Sequence, residues 1–175
     1  MLMKNFLAAF EIRNASKAGF TLIELLVVIA IIGLLASIVM VALNDARTKA
    51  RTAKRITDLA QVRKALEMYY NTYNGYPISP CDAEGCWAGI YSCWGPDTAS
   101  YIPGLTAYVN RIPRDPRNHT NCAEQYIYYS DGINFKLITH LPEECSEVKA
   151  KYPNLIDPTR DCWAYGYWSP GAVGW

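Results

Sequence analysis

The hydrophobic pattern changes character along the chain. From Leu25 to Leu43 no residue is charged, and only Gly33 and Ser37 interrupt a run of Ile, Leu, Val, Ala and Met. About 18 or more apolar residues are enough to cross a hydrocarbon core as a helix. Further on the pattern becomes one-sided. Ile56, Leu59, Val62, Leu66, Tyr69, Tyr70 and Tyr73 recur at three- and four-residue steps, with Asp58, Gln61, Arg63, Lys64, Glu67 and Asn71 on the opposite side. That spacing predicts an amphipathic helix with one buried stripe. No proline lies between Phe20 and Tyr76, and Asn74-Gly75 with Pro77 beyond supplies a stop. The two patterns predict one helix from about Phe20 to Tyr73, roughly 80 Å long at 1.5 Å per residue.

Residues 77–115 are rich in Pro, Gly, Cys and Trp and hold no sustained period, which predicts a loop-dominated stretch. Alternation returns at Tyr126–Ser130 and Ile133–His140 on either side of Asp131-Gly132, the pattern of a hairpin with a two-residue turn. In that register Tyr128 faces Phe135 and Tyr126 faces Leu137, so one apolar face can cover the helix stripe. Ile127, Tyr129, Asn134, Lys136 and Ile138 share the other face. A three-residue loop would slip the register by one and exchange the faces. The tail from Cys162 to Trp175 is dense in aromatics. It reads either as a last strand or loop whose rings complete a small core, or as an exposed platform for a glycan or other ligand. The predicted class is α+β, a long N-terminal α-helix packed against a small antiparallel sheet.

Charge and cysteines narrow the function classes. Lys and Arg number 17 against 16 Asp and Glu, which argues against a nucleic-acid partner held by a broad basic field. All six cysteines, Cys81, Cys86, Cys93, Cys122, Cys145 and Cys162, lie beyond the apolar block. An even set on one side of a membrane segment points to disulfides in an oxidising compartment. Zinc is disfavoured, because the first spacing is C-x4-C and His119 and His140 stand far from any knuckle. Six cysteines allow about fifteen connectivities. Cys122 and Cys145 flank the hairpin and are the first choice for a bridge. No phosphate loop, nucleophile elbow, paired metal motif or dinucleotide turn is present, and no motif joins Asp97, Asp115, His119 and Ser130 into a triad. The sequence therefore points away from an enzyme and implies no cofactor and no metal. Asn118-His119-Thr120 is a formal N-x-T sequon. The basic cluster Arg47, Lys49, Arg51, Lys54 and Arg55 reads as a solvated helix face, with attraction to anionic head groups as the sharper reading.

Glu24 breaks the membrane logic. A carboxylate costs about 2.5–3.5 kcal/mol at mid-bilayer, and less near an edge. Residues within helical reach (Phe20, Thr21, Val27, Val28) offer no cation, so the partner for its charge is sought elsewhere. A free α-amino group would serve, if the chain were cut just before Phe20. Lys17-Ala18-Gly19 followed by Phe20-Thr21-Leu22-Ile23-Glu24 resembles the prepilin motif of the type IV pilin and type II secretion pseudopilin family. The resemblance implies cleavage between Gly19 and Phe20 by a prepilin peptidase that also methylates the Phe20 amine. It implies, too, that Glu24 neutralises the amine of a neighbouring subunit during assembly. The small residue here precedes the apolar block, so the block would survive processing, unlike that of an ordinary secretory signal.

The resemblance implies a pilin-like fold with four parts: leader 1–19, transmembrane and assembly helix 20–43, the amphipathic half of the same helix 44–76, and a cysteine-rich head 77–175. Lys/Arg counting alone does not set the orientation, since basic residues flank both ends of the block; the family and the cysteines place the head outside. The expected site is the bacterial cytoplasmic membrane, crossed once. Expected partners are identical and related pilin subunits, the peptidase and methylase, an inner-membrane assembly platform and membrane lipid. The expected function is a structural subunit of a type II secretion pseudopilus, with a type IV pilin for adhesion, motility or DNA uptake, or an anchored extracytoplasmic binding protein, as alternatives. Tyr76-Pro77 and the run from Ile112 to Pro116 favour the pseudopilin, for the stretch from Tyr101 to Pro116 resembles the segment before its sheet. Major pseudopilins hold calcium in a late loop, but Ser130-Asp131-Gly132-Ile133-Asn134 has one acid, and calcium wants six or more oxygens. Calcium is not carried over. The cysteines are expected to supply that stapling, so that reduction rather than chelation destabilises the head.

Overall fold

The structure is a computed structural model that describes residues 19–80, 87–90, 100–117 and 123–175. The leader before Gly19, Cys81, Cys86, Cys93, Asp97, Cys122 and the Asn118-His119-Thr120 sequon lie outside the described residues. The elements are α1 (Leu22–Tyr73), β1 (Ala88–Gly89), β2 (Tyr126–Ser130), β3 (Phe135–His140), α2 (Cys145–Lys151), β4 (Ile156–Asp157) and β5 (Asp161–Trp168). The five strands form one sheet in the order β1-β2-β3-β5-β4, every pair antiparallel. The class is α+β, as the pattern predicts. The chain divides into two units, residues 1–42 and 43–175.

In the first unit the described residues from Leu22 onward are helix. Phe20, Leu22, Ile23 and the large apolar side chains onward to Val41 are all exposed. In the second unit, one face of the sheet closes on α1. Tyr126, Tyr128, Phe135, Leu137 and Tyr165 pack with Leu59, Val62, Ala65 and Leu66. Each such aliphatic side chain contributes about 1.5–3 kcal/mol on full burial. Tyr101, Ile102, Leu105, Val109 and Ile112 complete that core, so the Pro- and Gly-rich stretch packs closely although it has no sustained period. Asn74, in the left-handed conformation at φ 53°, ends α1, as Asn or Gly commonly does.

The stripe is shorter than its spacing predicts. Tyr70 and Tyr73 stay exposed, stacked on Tyr76 and Tyr69 at the end of the helix. Asp58 and Arg55, expected on solvated surface, are buried. The reason is a set of charges that satisfy one another. Arg55 donates from Nε and Nη2 to the Asp115 carboxylate at 2.8 and 3.1 Å, and Asp58 accepts from Lys54 and from the Tyr126 hydroxyl. Around this pair, Arg51 bridges Glu143, Arg117 bridges Glu143 and Glu124, and Thr52 donates to Glu144.

The hairpin differs from the predicted one. Ser130 pairs with Phe135, Tyr128 with Leu137 and Tyr126 with Thr139, so the loop is the four residues Asp131 to Asn134. Asp131 Oδ1 accepts from the amides of Ile133 and Asn134, and Ser130 Oγ from that of Gly132. These side-chain acceptors replace the tight two-residue turn. The displacement is two residues, and because side chains alternate, an even shift preserves the faces. On the outer face Ile127, Ile138 and Ala164 pack with Trp87 and Trp168. Lys136, fully buried there, donates to Asp157 Oδ1 at 2.9 Å and to the main-chain oxygens of Val173 and Trp175. The aromatic tail thus mostly closes a second, smaller core, while Trp163 alone among its tryptophans is strongly exposed, at 64%.

The expected Cys122–Cys145 bridge is corrected. Cys145 is bonded to Cys162, tying the first turn of α2 to the start of β5. Cys145 opens α2, whose fold-back brings that first residue beside the last long strand.

Candidate functional site

The start of α1 holds three of the residues singled out by sequence. Gly19 and Phe20 precede the helix, and Phe20 is 89% exposed. Thr21 occupies the N-cap position, and Glu24 is the third helical residue. The Glu24 amide donates to Thr21 Oγ1 at 3.3 Å. In return Glu24 Oε2 accepts from the Thr21 amide at 2.8 Å and from its hydroxyl at 2.7 Å. This reciprocal pair is a capping box, which satisfies amides that a helix start leaves without partners.

No cation lies within helical reach of Glu24, yet the carboxylate does have local donors. Thr21 supplies two of them, and the positive end of the helix dipole favours an acid there. Thr21 is the partner of Glu24 that sequence reasoning passed over; its signal was the Thr-x-x-Glu spacing itself. Hydrogen bonds from neutral groups stabilise the charge without cancelling it. Among the described residues no ion pair involves Glu24. Both bonds to the carboxylate fall on Oε2, so Oε1 is the oxygen free to meet a cation.

The shaft beyond Glu24 is the second part of the site. α1 is long and apolar enough to cross a membrane, and its most apolar stretch is exposed throughout. Exposed apolar surface on this scale marks lipid or protein contact. Among the described residues no cluster of three or more His, Cys, Asp or Glu stands ready for a metal ion. The Cys145–Cys162 bridge and the Lys136–Asp157 pair lie in the head and have no part in the helix start.

An uncovered apolar helix that continues into a sheet-bearing head belongs to the pilin-like class. The family model for the prokaryotic N-terminal methylation motif matches residues 14–40. The type II secretion system core protein G of Klebsiella michiganensis is 38% identical over 104 residues, covering 59% of this chain and 70% of that protein. Its counterpart in Vibrio cholerae is 34% identical over 116 residues, covering 66% and 73%. The type IV major pilin protein PilE1 of Neisseria gonorrhoeae is 36% identical over 81 residues, covering 41% and 49%. No solved structure matches. The chain belongs to the type II secretion system core protein G family, the pseudopilins. That family is structural, and membership implies membrane anchoring and assembly into a fibre of related subunits.

Proposed function

We propose that this subunit is cut between Gly19 and Phe20, methylated on the new Phe20 amine, and held in the cytoplasmic membrane by residues 20–43 with its head outside. Assembly then brings Glu24 opposite the Phe20 amine of a neighbouring copy or a related pilin. A prepilin peptidase with methylase activity and an inner-membrane assembly platform are the partners this requires. Residues 44–76 carry the head away from the membrane, and no catalytic step is assigned to any residue.

The observation that carries this reading is the bonding of Glu24. Thr21 holds the carboxylate in place through Oε2, at the rim of the apolar shaft. An amine arriving at about 4 Å would gain roughly 4 kcal/mol at an effective dielectric of 20, where an unpaired carboxylate had been a liability. The pair would also fix axial register, since an offset of one helical turn, about 5.4 Å, removes the contact.

Expressing Glu24→Ala in cells that carry the secretion machine tests this. Processing of the leader, read as the size shift on a blot, should be unchanged, while sheared fibre yield and secretion fall sharply. Wild-type fibre yield would refute the role. The match to a type IV major pilin supports a second reading, a surface pilus; filaments that contain this chain and extend well beyond the cell surface would favour it.

A further inference from the structure

The entry to α2 sets two consecutive acids against α1. Glu143 accepts from Arg51 at 2.8 Å and lies 3.5 Å from Arg117 Nε. Glu144 makes no bond to the amides of its own helix; its Oε2 accepts from the Thr52 hydroxyl instead. Arg55 Nη1 stands 3.7 Å from Glu144 and 3.9 Å from Glu143, too far for a good hydrogen bond to either. The two carboxyl groups are in hydrogen-bond contact with each other. Glu144 Oε1 is buried and receives no bond from any described residue.

Two ionised carboxylates have only lone pairs to offer each other, so such a contact is a bond only if one of them carries a proton. The charges around it agree. α1 supplies Arg51 and Arg55, the stretch before β2 supplies Asp115, Arg117 and Glu124, and the α2 entry supplies Glu143 and Glu144. Three cations meet four acids, and one proton makes the group neutral. The other charges nearby are matched separately: Lys54 with Asp58, which also accepts from Tyr126, and Lys151 with Glu147, beside Lys49. Burial keeps the Tyr165 phenol of β5 neutral beside Arg55. His140 lies on the outer face, its ring against the Ala123 main-chain oxygen. Burial, with the bond and charge of Glu143, holds the Glu144 pKa above its ordinary value. Burial pushes Glu143 the same way, but the Arg51 and Glu144 bonds outweigh it and hold Glu143 low. Such divergence is the behaviour of a pair that loses its protons in separate steps.

We propose that Glu143 and Glu144 share one proton that latches α2 onto residues 51–55 of α1, and that losing it releases α2 while the sheet stays folded. The Cys145–Cys162 bond keeps the first residue of α2 on β5, so the release is local. Well below the ordinary glutamate range, the latched and released forms both carry the proton and pH has no effect. Above that range released Glu144 ionises while latched Glu144 stays neutral, so rising pH favours release until the raised value is passed.

The test is hydrogen exchange of the α2 amides in the full chain in non-ionic micelles, corrected for the intrinsic pH dependence of exchange. Between about pH 4 and about pH 8, α2 protection should fall about tenfold for each unit by which Glu144 is raised, with β2 and β3 unchanged. Glu144→Gln, whose amide can still donate to Glu143, should keep α2 at its acid-pH protection throughout, and His140→Gln should leave the dependence as it is. In the unaltered chain one labelled glutamate carboxyl resonance should titrate above the ordinary range, and Glu143→Gln should move it back down. Near-UV circular dichroism on each variant confirms a folded head. Protection of α2 indifferent to pH, an equal pH dependence in Glu144→Gln, or no carboxyl titrating high overturns the proposal. Parallel loss of protection in β2 and β3 overturns it too, since that is unfolding of the whole head. None of these readouts involves assembly, so a failure of the fibre reading shows separately, in the yield of Glu24→Ala.

Discussion

Arg55→Met probes what fastens the head to its helix. The Arg55 side chain has no exposed surface, and that of Asp115 only 4%. Burial alone would pull the Arg55 pKa down, but the hydrogen bond and charge of Asp115 outweigh it and hold the guanidinium above its ordinary value. With Arg55 gone, Asp115 keeps the Arg117 amide at 2.9 Å and the Arg117 side chain only at 3.8 Å. Removing one partner of a buried pair costs about 3–5 kcal/mol. For a unit of this size that corresponds to a fall in Tm of roughly 10–20 °C. The readout is thermal unfolding of the full chain in micelles, followed by the near-UV signal of the head's Tyr and Trp rings. Asp115→Asn should be milder, because Glu144 and Glu143 remain 3.7 and 3.9 Å from Arg55 Nη1. The double variant Arg55→Met/Asp115→Leu leaves no orphaned charge at the pair and should recover most of the loss. A fall below about 3 °C for Arg55→Met, or a double variant as unstable as the sum of the singles, would refute the reasoning.

Four further outcomes are expected. Cys145→Ser/Cys162→Ser should cost about 3 kcal/mol by opening a short loop, and reductant should lower the melt of the unaltered chain while a chelator leaves it unchanged; an equal effect of chelator would contradict stapling by sulfur. Lys136→Met should destabilise by about 1–3 kcal/mol, since Asp157 loses its buried partner but keeps Arg160 Nη1 at 2.9 Å and the Thr159 amide at 3.0 Å; partial rescue by Asp157→Asn in the same chain is the check. Burial first, with Glu143 adding, holds the Glu144 pKa above its ordinary value. Its ionisation therefore opposes folding above that range and has no effect well below it. Glu144→Gln should raise Tm near neutral pH and not at about pH 3, and an equal gain at both would be incompatible with this origin. A Cβ on Gly166 would stand 2.1 Å from the Leu137 carbonyl oxygen, so Gly166→Ala should cost at least about 1–3 kcal/mol in urea unfolding; a neutral result would show that β3 and β5 can separate.

What the sequence made legible is what local pattern controls. The shaft, the amphipathic stripe and the stop at Asn74 each depend on residues within a few turns, and the structure places the shaft and the stop where the spacing does, with the stripe ending short of Tyr70 and Tyr73. Even the hairpin faces survive an error in register, because the loop differs by two residues rather than one. The misses at Arg55, at the disulfide and at Lys136 each required a partner distant in sequence. Position 55 stands four before Leu59 and seven before Val62, so helical spacing alone puts it on the buried face; its charge argued the opposite, and Asp115, 60 residues away, decided the contest. The sulfur pairing depends on where α2 folds back, which no cysteine spacing encodes. Lys136 is the sharpest instance. Strand alternation correctly assigns it to the outer face of the sheet, and a lysine there should reach water. Instead Trp168 lies 5.5 Å from its Nζ, and Trp175 packs edge-on against Tyr129 at 4.8 Å. Asp157 and two main-chain oxygens then close on the ammonium. The aromatic tail makes the outer face an interior, and an interior lysine is tolerable only because that tail brings the oxygens with it.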